Sequence, residues 1–148
     1  MTTFQLHSEP VRGEWLDQYG HLNEAYYLVP FSTGTWALQE KFGLGAEYFD
    51  RTGGALYTVE SHIRYLKDVR APAVMEVQTM ILGVDSKRLH LAEVMTVDGI
   101  ERATFECMGL HVDTKAGHSA PTPEDAVAAL TDAITDQPPD WAGRRISL

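Results

Sequence analysis

Four strand-like segments follow one another in the middle of the chain, and no long helical segment separates them. They span residues 55–69, 74–82, 89–97 and 100–112. In the first segment apolar residues alternate with polar ones, which is typical of a strand with one buried face. The alternating apolar residues there are Tyr57, Val59, Ile63 and Tyr65. Because Asp98-Gly99 is a two-residue hairpin signal, the last two segments should pair antiparallel, so the run predicts a meander.

One long helical segment precedes these strands, over residues 23–42. Its apolar positions are compatible with one helical face, formed by Tyr27, Phe31, Trp36 and Leu38. Pro30 cannot donate a hydrogen bond to the carbonyl four residues back, so we expect a kink or a loosened first turn. Gly43 and Gly45 supply the C-terminal stop. Helix and strands together predict an α+β fold, in which the sheet wraps around the helix and covers its apolar face.

Shorter segments complete the predicted order of elements. Residues 4–12 are predicted as a first strand, and Pro10 places it at a sheet edge or on a bulge. Residues 46–51 are predicted as a short helix. The run from Thr122 to Asp125 supplies a cap, an N1 proline and early acidic residues for a second helix over 126–134. We therefore predict a single domain over residues 1–134 and an extended C-terminal tail over 135–148.

Charge and cysteine content narrow the classes of function. The chain has 12 Lys and Arg against 21 Asp and Glu, and the formal net charge of −9 disfavours nucleic acid and anionic membrane surfaces as partners. The single cysteine, Cys107, excludes an internal disulfide, and no run resembles a signal peptide or a membrane span, so we expect a cytoplasmic protein. The sequence has no serine-hydrolase elbow, zinc motif or dinucleotide loop, and we expect no metal.

The chemistry is predicted in the eleven residues from Asp17 to Tyr27. Asn23 is a good N-cap, and Gly20 lets the chain turn sharply into it. A helix N-terminus offers unpaired N–H groups and a partial positive charge, which suit an oxyanion, and Asp17 lies a few residues upstream. From the residues alone, attack on a carbonyl and a purely structural turn both remain open, because Asp17 and His21 are common turn residues.

The pattern Asp17-x-x-Gly20-His21-x-Asn23, followed by Tyr26-Tyr27 and the long helix, resembles the active-site signature of the hotdog-fold acyl-CoA thioesterases of the 4-hydroxybenzoyl-CoA thioesterase type. The resemblance covers roughly residues 5–125. It implies a hotdog fold, a long central helix wrapped by a five-stranded antiparallel sheet, with the active site between the two subunits of a homodimer or of a homotetramer built from it.

The same resemblance implies roles for the residues of the turn. Asp17 would attack the thioester carbonyl or activate water, and His21 would orient the turn or the acyl group. Backbone N–H groups near Asn23 and Glu24 would hold the developing oxyanion. The family often has a second Asn where this chain has Glu24, whose charge should oppose catalysis unless its side chain faces solvent.

Two further groups of residues are assigned by resemblance. In the turn after the second strand of the meander, the CoA phosphates would contact Ser86, Lys87 and Arg88, although a solvated turn explains the same charges. The runs 20–28, 60–66 and 87–91 are similar to thioesterases of carnitine breakdown, which act on betainyl-CoA. A trimethylammonium group favours aromatic faces and an anionic neighbour. The acyl pocket is therefore assigned to Trp15, Tyr19, Tyr26, Tyr27, Glu60 and His62, with core packing as the competing interpretation for the aromatic residues.

The expected function is hydrolysis of a small acyl-CoA thioester to a free acid and CoA, with betainyl-CoA as a candidate substrate. No cofactor is expected, since coenzyme A is part of the substrate. The alternative is a non-catalytic hotdog module that binds acyl-CoA as a sensor or scaffold. A hotdog hydratase ranks last, because it would need an Asp and a His spaced across a longer loop than Asp17 and His21 provide.

Overall fold

One antiparallel sheet forms the body of the fold, and the long helix lies against one of its faces. The computed structural model describes residues 2–148. The strands are β1 (Phe4–Pro10), β2 (Gly54–Tyr65), β3 (Val74–Val84), β4 (Arg88–Val97), β5 (Ile100–Asp113) and the short β6 (His118–Ser119). The helices are α1 (Leu28–Lys41), α2 (Ala46–Thr52) and α3 (Glu124–Asp132), with 3-10 turns over Gly13–Trp15 and Glu24–Tyr27. No helix within this range is both long enough and apolar enough to cross a membrane.

The sheet has the order β1-β3-β4-β5-β2, and β6 pairs with β5. The predicted meander is confirmed for its last three strands, β3, β4 and β5, each antiparallel to the next, whereas the first strand, β2, pairs with β5. Asp98 and Gly99 have φ values of 53° and 75°, the left-handed conformations that a two-residue hairpin turn requires. Strand β1 lies at the sheet edge and carries a register shift between Gln5 and His7, as Pro10 predicted. The α+β hotdog fold is thus confirmed.

Helix α1 packs its central residues directly onto the sheet. Phe31 and Leu38 are fully buried, and Phe31 stacks on Phe105 of β5 with ring centroids 5.1 Å apart. Gly34 allows close approach, because a Cβ there would lie 2.8 Å from Cγ1 of Val77. Trp36 was predicted on the same buried face and is instead 45% exposed, so that prediction is wrong.

The beginning of the long helix is irregular, as Pro30 predicted. The chain first makes the 3-10 turn Glu24–Tyr27 and becomes α-helical only at Leu28. Pro30 then occupies the first turn of α1, where a backbone N–H would have no partner inside the helix. The long helical segment is thus a 3-10 turn followed by an α-helix that begins five residues later than predicted.

The predicted alternation in β2 is wrong over its first half. A register shift between Thr58 and Glu60 inserts Val59 as an extra residue, and a one-residue insertion moves the following side chains to the other face. Tyr57 and Val59 are accordingly 54% and 58% exposed, while Ile63 packs against the core. The strand also ends at Tyr65 rather than near residue 69.

Differences appear too at the C-terminal end. Helix α3 ends at Asp132 rather than at residue 134, and Pro123 takes the N-cap position that was predicted for Thr122. Beyond α3, Thr135 donates its N–H to the carbonyl of Ile81. Trp141 packs against a small apolar cluster on the sheet face opposite α1, which we call the outer face; the cluster comprises Met80, Ala92 and Val94.

Candidate active site

Asp17 begins a short turn that its own carboxylate closes. Oδ1 accepts hydrogen bonds from the N–H groups of Tyr19 (2.9 Å) and His21 (3.2 Å). The Asp17 N–H donates to the carbonyl of His21 (2.8 Å), and Gly20 supplies the positive φ of 78° that the turn needs. The second oxygen, Oδ2, has no hydrogen-bond partner among residues 2–148. One oxygen therefore fixes the carboxylate and the other is available for chemistry.

The start of the helix leaves one N–H group unpaired. The side chain of Asn23 accepts from the N–H of Ala25 (3.0 Å), so the predicted cap is confirmed. The N–H of Asn23 itself donates to the carbonyl of Trp15 (2.9 Å), and the N–H of Tyr26 donates to the carbonyl of Asn23 (2.9 Å). Among residues 17–26, the N–H groups of Gln18 and Glu24 lack an acceptor, and that of Glu24 lies at the helix start. The oxyanion donor expected from Asn23 and Glu24 thus reduces to Glu24, whose side chain is exposed.

These groups line one cavity of about 490 Å³. One wall is the turn and the helix start, with Asp17, His21, Asn23, Glu24 and Tyr27. The opposite wall is the end of β2 and the residues after it, from Tyr65 to Asp68. The two walls are joined by the N–H of Leu22, which donates to the carbonyl of Val69 (2.7 Å). The predicted catalytic residues are therefore brought together by the structure.

The cavity carries more negative than positive charge. Its carboxylates belong to Asp17, Glu24 and Asp68, and its one lysine is Lys67. Asp68 accepts a hydrogen bond from Nε of Arg70 (2.9 Å), which holds the pKa of that carboxyl below its usual range. Nε2 of His21 lies 3.6 Å from the same carboxylate. Residues 2–148 contain no group of three His, Cys, Asp or Glu side chains placed to hold a metal ion.

One of the predicted aromatic residues, Tyr27, lines the cavity and contacts Tyr65 of the opposite wall. Tyr27 is buried and meets Tyr65 edge to face, with ring centroids 5.0 Å apart. Burial raises the pKa of the Tyr27 phenol, so this side chain is uncharged at neutral pH. The Tyr65 hydroxyl donates to the carbonyl of Glu24 (3.1 Å), which ties the end of β2 to the helix start.

The other predicted aromatic residues are placed differently. Trp15 is buried, stacks on Tyr26 at 5.9 Å, and carries the guanidinium of Arg12 at 5.1 Å from its ring centroid. Within one chain, the ring of Trp15 thus already contacts an aromatic residue and a guanidinium. Tyr19 projects from the tip of the turn and is 73% exposed.

Glu60 and His62 do not lie in the Asp17 cavity. They follow the bulge in β2 and line a cavity on the outer face with His90 and Glu106. Within one chain, Glu60 therefore lies outside the Asp17 cavity, where the carboxylates beside Tyr27 belong to the turn, the helix start and Asp68. Along the strand after the bulge, Glu60 and His62 alternate with Ile63 and Tyr65 and therefore lie on the opposite face.

The Ser86-Lys87-Arg88 turn lies at the opposite end of the sheet from Asp17. Strand β3 joins the two ends and spans roughly 33 Å at 3.3 Å per residue. In the turn, Asp85 accepts from the N–H groups of Lys87 (2.9 Å) and Arg88 (2.7 Å), and from Nε of Arg88 (2.8 Å). These bonds lower the pKa of Asp85 to about 2. Arg88 thus already has a carboxylate partner, while Lys87 has no ion-pair partner among the described residues.

Sequence reasoning missed the second wall of the cavity. Tyr65, Lys67 and Asp68 all fell within the predicted strand over residues 55–69, and no motif marks them as cavity residues. Their position depends on the contact between the end of β2 and the turn at His21, which forms an isolated bridge with Arg70. Only the pairing of distant segments could have indicated these residues.

Comparison with known proteins gives concordant matches. The Thioesterase-like superfamily profile matches residues 11–130. A betainyl-CoA thioesterase of Pseudomonas aeruginosa is 38% identical over 154 residues, covering 100% of this chain and 95% of that protein. An L-carnitine dehydrogenase/betainyl-CoA thioesterase of Agrobacterium fabrum is 42% identical over 96% of this chain, which spans only 30% of that longer protein. A Staphylococcus aureus protein solved in complex with CoA has a TM-score of 0.88 and 26% identity, covering 100% of this chain and 98% of that chain.

Proposed function

The chain belongs to the thioesterase-like superfamily, and from that premise we propose that this acyl-CoA thioesterase hydrolyses betainyl-CoA to betaine and CoA. The observation that carries the proposal is the pairing, in one cavity, of a carboxylate oxygen and a backbone N–H that both lack partners: Oδ2 of Asp17 and the N–H of Glu24. Support for the substrate comes from the names of the Pseudomonas and Agrobacterium relatives.

The two free groups divide the chemistry between them. Oδ2 of Asp17 either attacks the thioester carbon, forming an anhydride that water then hydrolyses, or removes a proton from the attacking water. In both routes the C–S bond breaks, CoA leaves as the thiolate and takes up a proton, and water supplies the second oxygen of the acid. The N–H of Glu24 donates to the carbonyl oxygen as negative charge develops on it, the kind of contact whose loss costs about 10²-fold or more in rate.

The cavity also suits a cationic acyl group. Tyr27 and Tyr65 present aromatic surface beside the reacting carboxylate, and an ammonium group within about 6 Å of such rings gains about 0.5–2 kcal/mol. The carboxylates of Asp17, Glu24 and Asp68 add an attractive potential that a neutral acyl group would not feel. In this proposal these three carboxylates, and not Glu60, supply the negative charge near the acyl group.

We propose that the subunits associate through the free edge of β2. This strand ends the sheet, runs for twelve residues and has no neighbour on its outer side among residues 2–148. Tyr57 and Val59 are exposed along it, and the cavity of about 450 Å³ beneath it is lined by Leu28, Trp36 and Phe49. Long uncovered strand edges of this kind pair with another chain. A two-fold axis would give a homodimer, which could double to a homotetramer.

Such a dimer would complete the CoA site. Antiparallel pairing of two β2 strands places the Gly54 end of one beside the Tyr65 end of the other. Lys87 lies at the Gly54 end, since its carbonyl accepts from the N–H of His111 (2.7 Å) near the end of β5. The partner's Lys87 and Ser86 would then hold CoA phosphates while Asp17 of the first subunit acts on the thioester, and Arg88 would shape the turn through Asp85.

No cofactor enters this mechanism, since water and the acyl-CoA are the only reactants. We propose a cytoplasmic location, because the single cysteine, Cys107, is buried as a free thiol, as is usual in reducing compartments.

The test compares two acyl-CoA substrates of the same shape. Betainyl-CoA and 3,3-dimethylbutyryl-CoA differ only in whether nitrogen or carbon carries the three methyl groups. Thiol release should give kcat/KM at least about tenfold higher for betainyl-CoA, the rate ratio that corresponds to about 1.4 kcal/mol of cation recognition. Equal values would refute betainyl specificity but not thioester hydrolysis. Binding of both without any thiol release would favour the non-catalytic module.

A further inference from the structure

The C-terminal residues cross the outer face of the sheet from one side to the other. The N–H of Thr135 bonds to Ile81 on β3, and Trp141 covers the apolar cluster on β3 and β4. The N–H of Gly143 then lies 2.7 Å from both carboxylate oxygens of Glu106 on β5. Gly143 has a φ of 78°, which turns the chain toward β2. These contacts fix where the residues after Gly143 lie.

The tail thereby completes a cavity of about 420 Å³ with the outer face of β2. Strand β2 contributes His62 and Arg64, and the tail contributes Arg144 and Arg145. Arg64 and His62 follow the bulge in β2 and point to the side of the sheet opposite the Asp17 cavity. Three guanidinium groups and an imidazole thus surround a single space.

The positive charge of this cavity is not neutralised by the protein. Three other arginines, Arg51, Arg70 and Arg88, each have a carboxylate within 4.0 Å. Neither Arg64, Arg144 nor Arg145 has one among residues 2–148, although the chain carries a net charge of −9. The adjoining carboxylates are those of Glu60 and Glu106. Glu106 is already engaged, by the N–H of Gly143 and by His90 at 3.2 Å.

We propose that this outer-face cavity binds phosphoryl groups. The planar fork of a guanidinium matches two phosphate oxygens, and several such groups around one space suit a diphosphate better than a single carboxylate. Two kinds of ligand carry such phosphoryl groups. One is the phosphate-bearing end of coenzyme A, which rests on the proposed function, and the other is free pyrophosphate, which does not. Arg64 pairs with Thr104 of β5 and Arg88 pairs with Leu110, six residues further along, so within each chain this cavity is separate from the Ser86–Arg88 turn.

The test is calorimetric titration of the intact protein with inorganic pyrophosphate and, separately, with CoA and dephospho-CoA. Arg64→Gln removes one charge from the folded strand, and the double change Arg144→Gln with Arg145→Gln removes two from the tail. Lys41→Gln removes one charge from the end of α1, beside Phe4 and away from β2, and is the matched control. Thermal melting of each variant verifies that it is folded.

A loss of affinity for pyrophosphate of about tenfold or more in Arg64→Gln and in the double variant, with Lys41→Gln unchanged, supports the site. If CoA binding weakens in parallel, and more than dephospho-CoA binding, the ligand is the nucleotide end of CoA. If CoA binding is unchanged, the ligand is the free ion. The proposal is overturned if the protein binds no pyrophosphate and its affinity for CoA does not depend on these arginines. It is also overturned if Lys41→Gln weakens binding as much as the arginine variants do. Because no turnover is measured, these outcomes are independent of whether Asp17 hydrolyses thioesters.

Discussion

Glu93 is a carboxyl group buried beneath helix α1, and its ionisation should make the stability of the protein depend on pH. Its Oε1 accepts hydrogen bonds from the hydroxyl groups of Thr35 and Thr79, both at 3.1 Å. Its Oε2 has no hydrogen-bond partner among residues 2–148. Burial opposes the charged form and raises the pKa of Glu93 from 4.5 to about 8, against a smaller lowering by the two hydroxyl groups.

The sign follows from which state holds the proton. Below pH 4.5 Glu93 is protonated in both the folded and the unfolded chain, and its ionisation takes nothing from the free energy of unfolding. Between 4.5 and 8 the unfolded chain loses this proton while the folded chain keeps it, so stability falls as pH rises. At 1.36 kcal/mol per pKa unit the full loss is about 5 kcal/mol, of which about 2.5 kcal/mol falls between pH 5.5 and 7.5.

The assay is the free energy of unfolding by urea at half-unit steps from pH 5 to 8, for the wild type and for Glu93→Gln. Glutamine has the shape of the protonated acid and does not titrate, so its curve lacks the Glu93 contribution while the histidines contribute equally to both. The difference between the two curves should therefore change by about 2.5 kcal/mol from pH 5.5 to 7.5, with the wild type losing stability. A difference that stays constant across this range would refute the buried, proton-retaining carboxyl.

Three further changes test other parts of the structure. Gly34→Ala should destabilise the fold by about 1–3 kcal/mol in urea unfolding, because the new Cβ would lie 2.8 Å from Val77; an unchanged midpoint would contradict this close packing. Val59→Lys should convert dimer to monomer in light scattering, since it places a charge on the exposed β2 edge, and a persistent dimer would move the interface elsewhere. Lys87→Gln should raise KM several-fold with kcat little changed. In a mixture of Lys87→Gln and Asp17→Asn chains, mixed dimers should regain part of the activity at low substrate concentration, because one of their sites combines an intact Asp17 with the partner's intact Lys87. No recovery of activity would place both residues of a site in one subunit.

The predictions that held depend on local chemistry. Asp98-Gly99 specifies its hairpin because few residues adopt positive φ in succession. Asn23 is read as a cap from its own side chain, and Pro30 as a loosened first turn from its missing donor. Each of these conclusions needs only the residue and its immediate neighbours.

The features that the sequence did not predict depend on contacts between distant segments. The bulge at Val59 adds one residue relative to β5, and nothing in β2 itself marks it, so Tyr57 was placed on the wrong side. Trp15 was assigned to the acyl pocket from the sequence, and only the fold shows that Tyr26 stacks against it and that Arg12 lies over its ring. Lys87 could be assigned to CoA by resemblance, while its distance from Asp17 emerges only from the order of the strands.

In the proposed mechanism the two carboxylate oxygens of Asp17 have different roles. Oδ1 holds the turn through Tyr19 and His21, and Oδ2 performs the chemistry. Asp17→Asn keeps an acceptor oxygen for both backbone bonds and removes the reactive one, so the turn should persist. Asp132→Asn, at the end of α3, is the matched control for loss of one acidic charge.

The deciding measurement is thiol release from saturating betainyl-CoA by the wild type, Asp17→Asn and Asp132→Asn, with thermal melting to verify folding. We predict that Asp17→Asn lowers kcat by about 10²-fold or more while its melting temperature and CoA affinity stay at wild-type values, and that Asp132→Asn is as active as the wild type. A folded Asp17→Asn variant that hydrolyses betainyl-CoA at the wild-type rate would contradict the account.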